Sequence, residues 1–316
     1  MEHVISLGSI NVDRIQRVSD SEIADLETRY DWFPDRGQTI EVTDVPEDFP
    51  DEFDSIRHGG KGANQAGAAS KAGATATMLG KVGPDHEEFD VLAHLREAGI
   101  DVTLVDTASE PTGTAYVFVD SEGDNWIVVR PGANDTVDQT YVQQQYDTIA
   151  TAECLLLQNE IPIEPVAGLL SDLATESDPP TVVLDPAPAE GAERLLEYDA
   201  VDYLTPNETE YEALQPYLDS YDGVVIRKRG GDDVIVEGDQ RFTVTPPSVE
   251  VVDTTGAGDV LNGFVAARLA SGASVQEAVE IGTIAGSLST RRKGAQRGVP
   301  TLDDVRAFQE SQAEET

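Results

Sequence analysis

The chain is expected to fold as α/β: a doubly wound, mostly parallel sheet with helices on both faces, plus a small β lid. Two observations point to the sheet. Short apolar, strand-like runs recur at 154–158 (CLLLQ), 181–185 (TVVLD), 201–204 (VDYL) and 223–227 (GVVIR), and helix-like segments alternate with them from residue 60 onward. No linker, low-complexity tract or 20–50-residue repeat interrupts the 316 residues, so a single domain over 1–316 is expected.

Taken in order, residues 3–8 (HVISLG) read as a buried first strand. The segment from there to residue 57 is polar and acid-rich, carries Pro34, Pro46 and Pro50, and has short β-like pieces around TIEV. It is hard to place in a core and reads as a projecting flap. A Gly/Ala-rich helix covers 62–72, a strand 75–79, and a helix 86–98 that stops at Gly99. TAYVFV and NWIVV flank a turn at Ser121–Asp124 and read as a hairpin within 111–130. Further helices are expected at 163–175, 207–215, 258–270, 274–290 and 302–312, with Ser274 and Glu277 forming a capping box and a short frayed acidic tail after Gln309.

Composition excludes several functions. Asp and Glu number 60 against 21 Lys and Arg, a net charge of −39, which argues against binding to nucleic acid or an anionic membrane. The acids are dispersed rather than gathered in a tail, as in proteins of salt-loving organisms, where ionic strength screens self-repulsion. Cys154 is the sole cysteine and sits in an apolar strand, so it reads as core, with neither a disulfide nor a thiolate cluster available. No signal peptide or membrane-length apolar run is evident, and a cytoplasmic location is expected. His3, His58, His86 and His94 lack metal-ligand spacing, and no Gly-x-Ser-x-Gly elbow occurs.

In a doubly wound sheet, ligands bind beyond the carboxyl ends of the strands, so loops after strands carry the information. Three such loops are rich in small or polar residues. DTTGAGD (253–259) follows an apolar run and opens a helix; Gly256, Ala257 and Gly258 could let backbone N–H groups and the helix N-terminus hold an anion. An ordinary strand-to-helix turn, with Asp259 stabilising the helix start, is an equal reading of that window. GGKGANQAGAAS (59–70) offers Lys61 and Asn64 beside Gly59, Gly60 and Gly62, or else a glycine turn into a buried helix. GSINVD (8–13) places Asn11 and Asp13 after the first strand, where they could bond vicinal hydroxyls or form an Asx turn. Asn207 and Glu210 form a capping box, and Glu160 ends LLLQNE. Neither GxxxxGK[ST] nor GxGxxG is present, so both usual nucleotide signatures fail.

In this order, GSINVD, GGKGANQAGAA, PGAN (131–134), LLLQNEIP, TPNETE, DTTGAGDVLNG and RKGAQRGVP (292–300) resemble the ribokinase branch of the PfkB sugar-kinase family, from about residue 3 to 308. The resemblance implies ATP-dependent phosphorylation of a sugar hydroxyl, with D-ribose as the leading acceptor, ATP and Mg²⁺. Nucleosides, other sugars and sugar phosphates are the alternatives, and a non-catalytic sugar-binding protein is a more remote one. By matched position, Asp259 resembles the general base and Gly256, Ala257 and Gly258 the anion hole. Asn11, Asp13, Gly60, Lys61, Asn64 and Glu160 resemble the sugar contacts, and Asn207, Glu210 and Gly230 the nucleotide side. Asp253, Thr255 and Gly294 resemble a monovalent-cation site suited to K⁺. Residues 14–57 and 111–130 resemble the lid, whose strands often pair between subunits, which implies a homodimer. Three departures bear on specificity. The loop IRKRGGDDV (226–234) is unusually basic, with Asp233 where a glycine is common. Gly298 stands where some members carry serine. The segment 41–57 is longer than usual.

Overall fold

The computed structural model describes residues 2–314. Strand β1 (His3–Leu7) leads into β2 (Asn11–Arg17), α1 (Asp20–Arg29), β3 (Thr39–Glu41) and β4 (Ser55–Gly59). Helix α2 (Lys61–Lys71) and β5 (Thr75–Leu79) follow, then β6 (Lys81–Val82), α3 (Val91–Glu97), β7 (Ile100–Asp101) and β8 (Asp106–Thr107). The hairpin β9 (Gly113–Val119) and β10 (Asn125–Arg130) precedes α4 (Gln139–Ala150), β11 (Cys154–Gln158), α5 (Ile163–Leu173) and β12 (Thr181–Asp185). Strand β13 (Tyr203–Leu204), α6 (Glu208–Leu218), β14 (Val224–Arg227), β15 (Val234–Glu237) and β16 (Phe242–Val244) come next, before α7 (Ala257–Ala270), α8 (Val275–Ser289) and α9 (Leu302–Glu314).

The main sheet runs β16-β15-β14-β13-β12-β11-β1-β5-β7. It is parallel except for the β14–β15 and β15–β16 pairs. Its central strands are apolar on both faces because both faces are covered. Ile5, Leu7, Leu155, Leu157, Val182 and Leu184 meet α4 and α5, while Val4, Cys154, Leu156 and Val183 meet α2, α7, α8 and α9. Cys154 is core, as expected. The doubly wound sheet with helices on both faces is thus the observed architecture.

A second, smaller sheet runs β3-β10-β9-β2-β4. Residues 14–57 are not a coreless flap. They include α1, unforeseen in the sequence, and with the hairpin they enclose Ile23, Leu26, Tyr30, Phe33, Phe49, Phe118 and Trp126. Phe49 alone meets Tyr30, Trp32, Tyr116 and Phe118 at centroid distances of 5.3, 5.7, 5.2 and 5.9 Å. Spread of these aromatics among prolines and acids hides the core from any periodicity in sequence. The long 41–57 segment therefore packs into the core of the second sheet.

Other expectations need correction. The helix expected at 86–98 divides into a 3₁₀ turn, Pro84–Glu87, and α3, with Asp90 between them at φ 52°. Helix α4 was missed: its polar residues mask a buried face of Tyr141, Val142 and Ile149. Helix α9 continues through the acidic tail to Glu314, beyond the fraying point expected at Gln309, while residues 315–316 of that tail lie outside the described residues. The apolar run before DTTGAGD forms no strand; Val251 and Val252 are exposed coil. Ser274 does accept from Glu277 N, at 3.2 Å, yet the Glu277 carboxylate turns to Arg268 at 2.8 Å, so only half of that capping box forms. The box at Asn207 and Glu210 is complete.

Candidate active site

The carboxyl ends of β1, β11 and β12 open toward α2 and the first turn of α7. Helix α7 packs on all three strands and on α2. Close approach of the two helices requires Gly263, because a Cβ there would lie 2.5 Å from both Ala68 Cβ and Gln65 O. This contact brings the GGKGANQ and DTTGAGD loops together.

Asp259 sits in the first turn of α7 and is buried. Asn64 Nδ2 donates to its Oδ2 at 2.9 Å, and Gln65 Nε2 to its Oδ1 at 3.1 Å. Gln65 Nε2 also donates to Asp185 Oδ2 at 2.9 Å, so one amide clamps two buried carboxylates. Gln158 Nε2 fixes that amide through Gln65 Oε1 at 2.7 Å. Burial raises the Asp259 pKa above the ordinary carboxylate value; Lys61 opposes this, Asp185 adds to it, and the two amides oppose it. Asn64 is oriented in turn by Gln296 Nε2, which donates to its Oδ1 at 2.9 Å, and Gln296 Oε1 pairs with His94 at 2.6 Å.

Gly256 caps α7 at φ 77°, a left-handed conformation that favours glycine, with Ala295 pressed against it: a Cβ at Gly256 would lie 2.5 Å from Ala295 Cβ. Ala257 N–H closes a turn onto Thr254 O at 3.2 Å, so it is not the free donor the sequence suggests. The N–H groups of Gly258 and Asp259 have no backbone acceptor among the described residues, and they stand at the positive end of a 14-residue helix. The turn is therefore fit to hold an anion, with Asp259 beside it.

The expected sugar-side residues converge. Asn11 opens β2, and its Oδ1 accepts from Asn134 Nδ2 at 2.8 Å. Asp13 lies two positions on, its carboxylate where a Cβ on Gly59 would stand, 2.4 Å from Oδ1. Burial, Glu160 and Asp259 raise its pKa to about 7, against the pull of Arg57. Gly60 holds φ 89°, and a Cβ there would meet Ser9 O at 2.6 Å. Glu160 accepts from Ser9 Oγ and from Lys61 N at 3.2 Å; burial raises its pKa against the pull of Lys61. Burial would lower the Lys61 pKa, but Asp259, Glu160, Asp185 and Glu210 outweigh it and keep the ammonium charged.

Asp259 also lines a cavity of about 610 Å³, together with Asn207, Glu210, Gly230, Gly256 and Gly258 and with the charged groups Lys61, Asp185 and Lys228. Asn207 N and Nδ2 donate to Glu210 at 2.7 Å each. Burial and the neighbouring Asp185 raise the Glu210 pKa, opposed by Lys228. The three expected nucleotide-side residues thus share one cavity with the anion turn.

Asp253, Thr255 and Gly294 are also adjacent. Asp253 accepts from Thr255 N at 3.0 Å and Gly294 N at 2.9 Å, and these hydrogen bonds with Arg57 hold its pKa low despite partial burial. Gly298 is buried where a Cβ would lie 2.3 Å from Ser289 O, so this backbone excludes serine at that position. Among the described residues, one carboxylate group is close-set enough for a metal: Asp120, Glu122 and Asp124, at the hairpin turn. Arg36 already pairs with it, 2.7 Å from Asp124.

Gln65, Asp185, Asn262, Lys228 and Gln296 were not singled out in the sequence. Asp185 and Lys228 each follow or end a strand, so the rule that informative loops follow strands would have found both.

The sequence pattern of the pfkB family carbohydrate kinases matches residues 52–302. The ribokinase of Bacillus subtilis is 36% identical over 294 residues, covering 89% of this chain and 94% of that protein. The ribokinase of Lactococcus lactis is 33% identical over 318 residues, covering 97% of each. Among solved structures, the ribokinase of Thermotoga maritima superposes with a TM-score of 0.79 at 29% identity, covering 98% of this chain and 99% of that one. The Arabidopsis thaliana ribokinase complexed with ribose and ATP gives 0.75 at 25%, covering 97% of each chain. Matched over most of its length by the family pattern and by relatives above 30% identity, the chain belongs to the pfkB family of carbohydrate kinases.

Proposed function

We infer that this protein is an ATP-dependent sugar kinase that converts D-ribose to ribose 5-phosphate. The observation that carries the reading is Asp259: a buried carboxylate in the first turn of α7, beside the free N–H groups of an anion-holding turn, between a polar half-site and a nucleotide-sized cavity. Ribose as acceptor is supported by relatives named ribokinase at 36, 33 and 32% identity over most of their lengths.

In this reading Asn11, Asp13, Gly60, Lys61, Asn64 and Glu160 hold the sugar. The acceptor oxygen attacks the γ-phosphorus, the bond from that phosphorus to the β–γ bridging oxygen breaks, and ADP leaves. Asp259 orients the hydroxyl and takes its proton as the new bond forms. The free N–H groups of Gly258 and Asp259 stabilise charge on the transferred phosphoryl.

Asn207, Glu210 and Gly230 line the nucleotide side. A buried Glu210 with two further carboxylates nearby suits a hydrated Mg²⁺, which when bound shields the phosphate charge. Asp253, Thr255 and Gly294 would hold K⁺, since Asp253 keeps its charge while joining the two loops whose carbonyls could serve as ligands. A homodimer formed through the lids is supported by the free edge of β4, where Ile56 is exposed. The dispersed acid supports a salt-rich cytoplasm as the setting.

The test is turnover with Mg-ATP across a panel of sugars and nucleosides, run in KCl and in NaCl. Ribose should give the highest kcat/KM, with KCl above NaCl. Preference for a nucleoside would move the acceptor, and absence of any turnover would leave only sugar binding.

A further inference from the structure

The cavity beside Asp259 poses an electrostatic problem. Asp185, Glu210 and Asp259 all line it, and a nucleotide triphosphate brings roughly four more negative charges. Of the cations that line the cavity, Lys61 already lies among four carboxylates, and Arg229 is paired with Glu208 at 3.2 Å.

Lys228 is the unabsorbed cation. It follows β14, and its backbone is fixed beside the nucleotide-side cap: Lys228 N donates to Pro206 O at 2.8 Å, and the residue bridges Asn207. Its side chain is 12% exposed and Asp185's is 3%, and the two meet at 3.3 Å from Nζ to Oδ1. Nζ lies 3.5 Å from the point where a Gly258 side chain would begin. The missing side chain at Gly258 thus leaves the ammonium directly over the anion turn. Among the described residues Asp185 is its one hydrogen-bond partner, so ammonium donors remain for the cavity.

Asp185 is in turn immobilised. Gln65 and Asn262 each donate to its Oδ2 at 2.9 Å, leaving Oδ1 to Lys228. The same Gln65 amide touches Asp259, so cation, anion turn and base are set by one hydrogen-bonded unit.

We propose that Lys228 is the side-chain cation of the phosphate subsite in this chain, holding the terminal phosphate oxygens over the Gly256–Gly258 turn, and that Asp185 is the residue that positions it. The proposal rests on the kinase reading above. It makes the unusually basic 226–234 loop a phosphate contact.

The experiment compares wild type with Lys228→Met, Lys228→Arg, Asp185→Asn and the double variant Lys228→Met/Asp185→Asn. Readouts are kcat, the KM values for ATP and ribose, direct Mg-ATP binding by calorimetry, and Tm. Lys228→Met should lower kcat/KM for ATP by about 10²- to 10³-fold, the scale of losing one preorganised donor to a developing oxyanion. Ribose binding without nucleotide should be unchanged, and Lys228→Arg should recover part of the loss. Asp185→Asn should fall between wild type and Lys228→Met. Lys228→Met also strands a buried carboxylate and can unfold the chain, which is why the double variant matters. A purely structural ion pair predicts that removing both charges restores activity, whereas a phosphate contact predicts that the ATP defect persists in the folded double variant. Wild-type kcat/KM for ATP in a folded Lys228→Met or double variant overturns the proposal. If wild type phosphorylates no sugar, the kinase reading falls. Lys228 is then judged by Mg-ATP binding alone: weakening in the double variant supports it and equal affinity refutes it.

Discussion

Asn64 and Asp259 meet amide to carboxylate at 2.9 Å, although 195 positions separate them in the chain. The contact exists because α2 and α7 approach closely over Gly263, where a Cβ would lie 2.5 Å from Ala68 Cβ. Gly263→Ala should therefore cost about 1–3 kcal/mol by overpacking. It should also lower kcat by displacing the base. Denaturant melts and steady-state kinetics check both; unchanged stability would mean that the helices are free to part.

Gln65 ties Asp259 to Asp185 and helps keep the Asp259 pKa from rising further. Gln65→Met preserves bulk and removes the donor. The folded-state pKa of Asp259 should rise, and the acid limb of the kcat–pH profile should move to higher pH. An unmoved acid limb would assign that limb to another group.

Asp13 has its pKa raised to about 7 from 3.8, through burial and then Glu160. A carboxyl raised in the folded state binds its proton more tightly there than when unfolded. Its stabilising contribution is thus complete below the unfolded pKa of about 4 and is lost as pH rises through about 7. Asp13→Asn removes the titration. Relative to wild type, its Tm should climb by several degrees between pH about 4 and about 7 and then level off. The same variant should raise the KM for ribose far more than that for ATP. A pH-independent Tm difference would contradict the burial of Asp13.

The net charge of −39 sets the salt response. Raising KCl from about 0.1 M to 1 M shortens the screening length from about 10 Å to about 3 Å. Tm should rise steadily across that range as like charges on the surface are screened. Thermal melts in KCl check this, and a flat or falling Tm would show that the acids do not destabilise the fold.

Much of the site was legible because its residues follow the ends of strands closely: GSINVD runs from β1 into the start of β2, LLLQNE ends β11, and TPNETE follows β13. Each stretch is local, and the parallel topology gathers them at the carboxyl end of the main sheet. Asp185 and Lys228 obeyed the same rule, but Asp185 ends β12 as a lone carboxylate before prolines, and Lys228 was one of several cations in the basic 226–234 loop, so neither stood out by type or spacing. Gln65 and Gln296 act at a distance, bonding partners that only the fold brings near. The second sheet and its core were the least legible part, because Phe49, Tyr30 and Phe118 pack from positions that share no period. The apolar run 249–252 misled in the opposite sense: β16 ends the sheet at Val244, so Val251 and Val252 find no strand to pair with.

The most direct measurement is the single-turnover rate of ribose phosphorylation by Asp259→Asn with saturating Mg-ATP, taken with its nucleotide affinity. The amide keeps the shape and forfeits the charge and basicity. The rate should be lower by about 10²- to 10⁴-fold, the usual contribution of a positioned base, with Mg-ATP affinity within a few-fold of wild type. A rate near that of wild type in the folded variant would contradict the role of Asp259 as base, and with it the mechanism derived for the site.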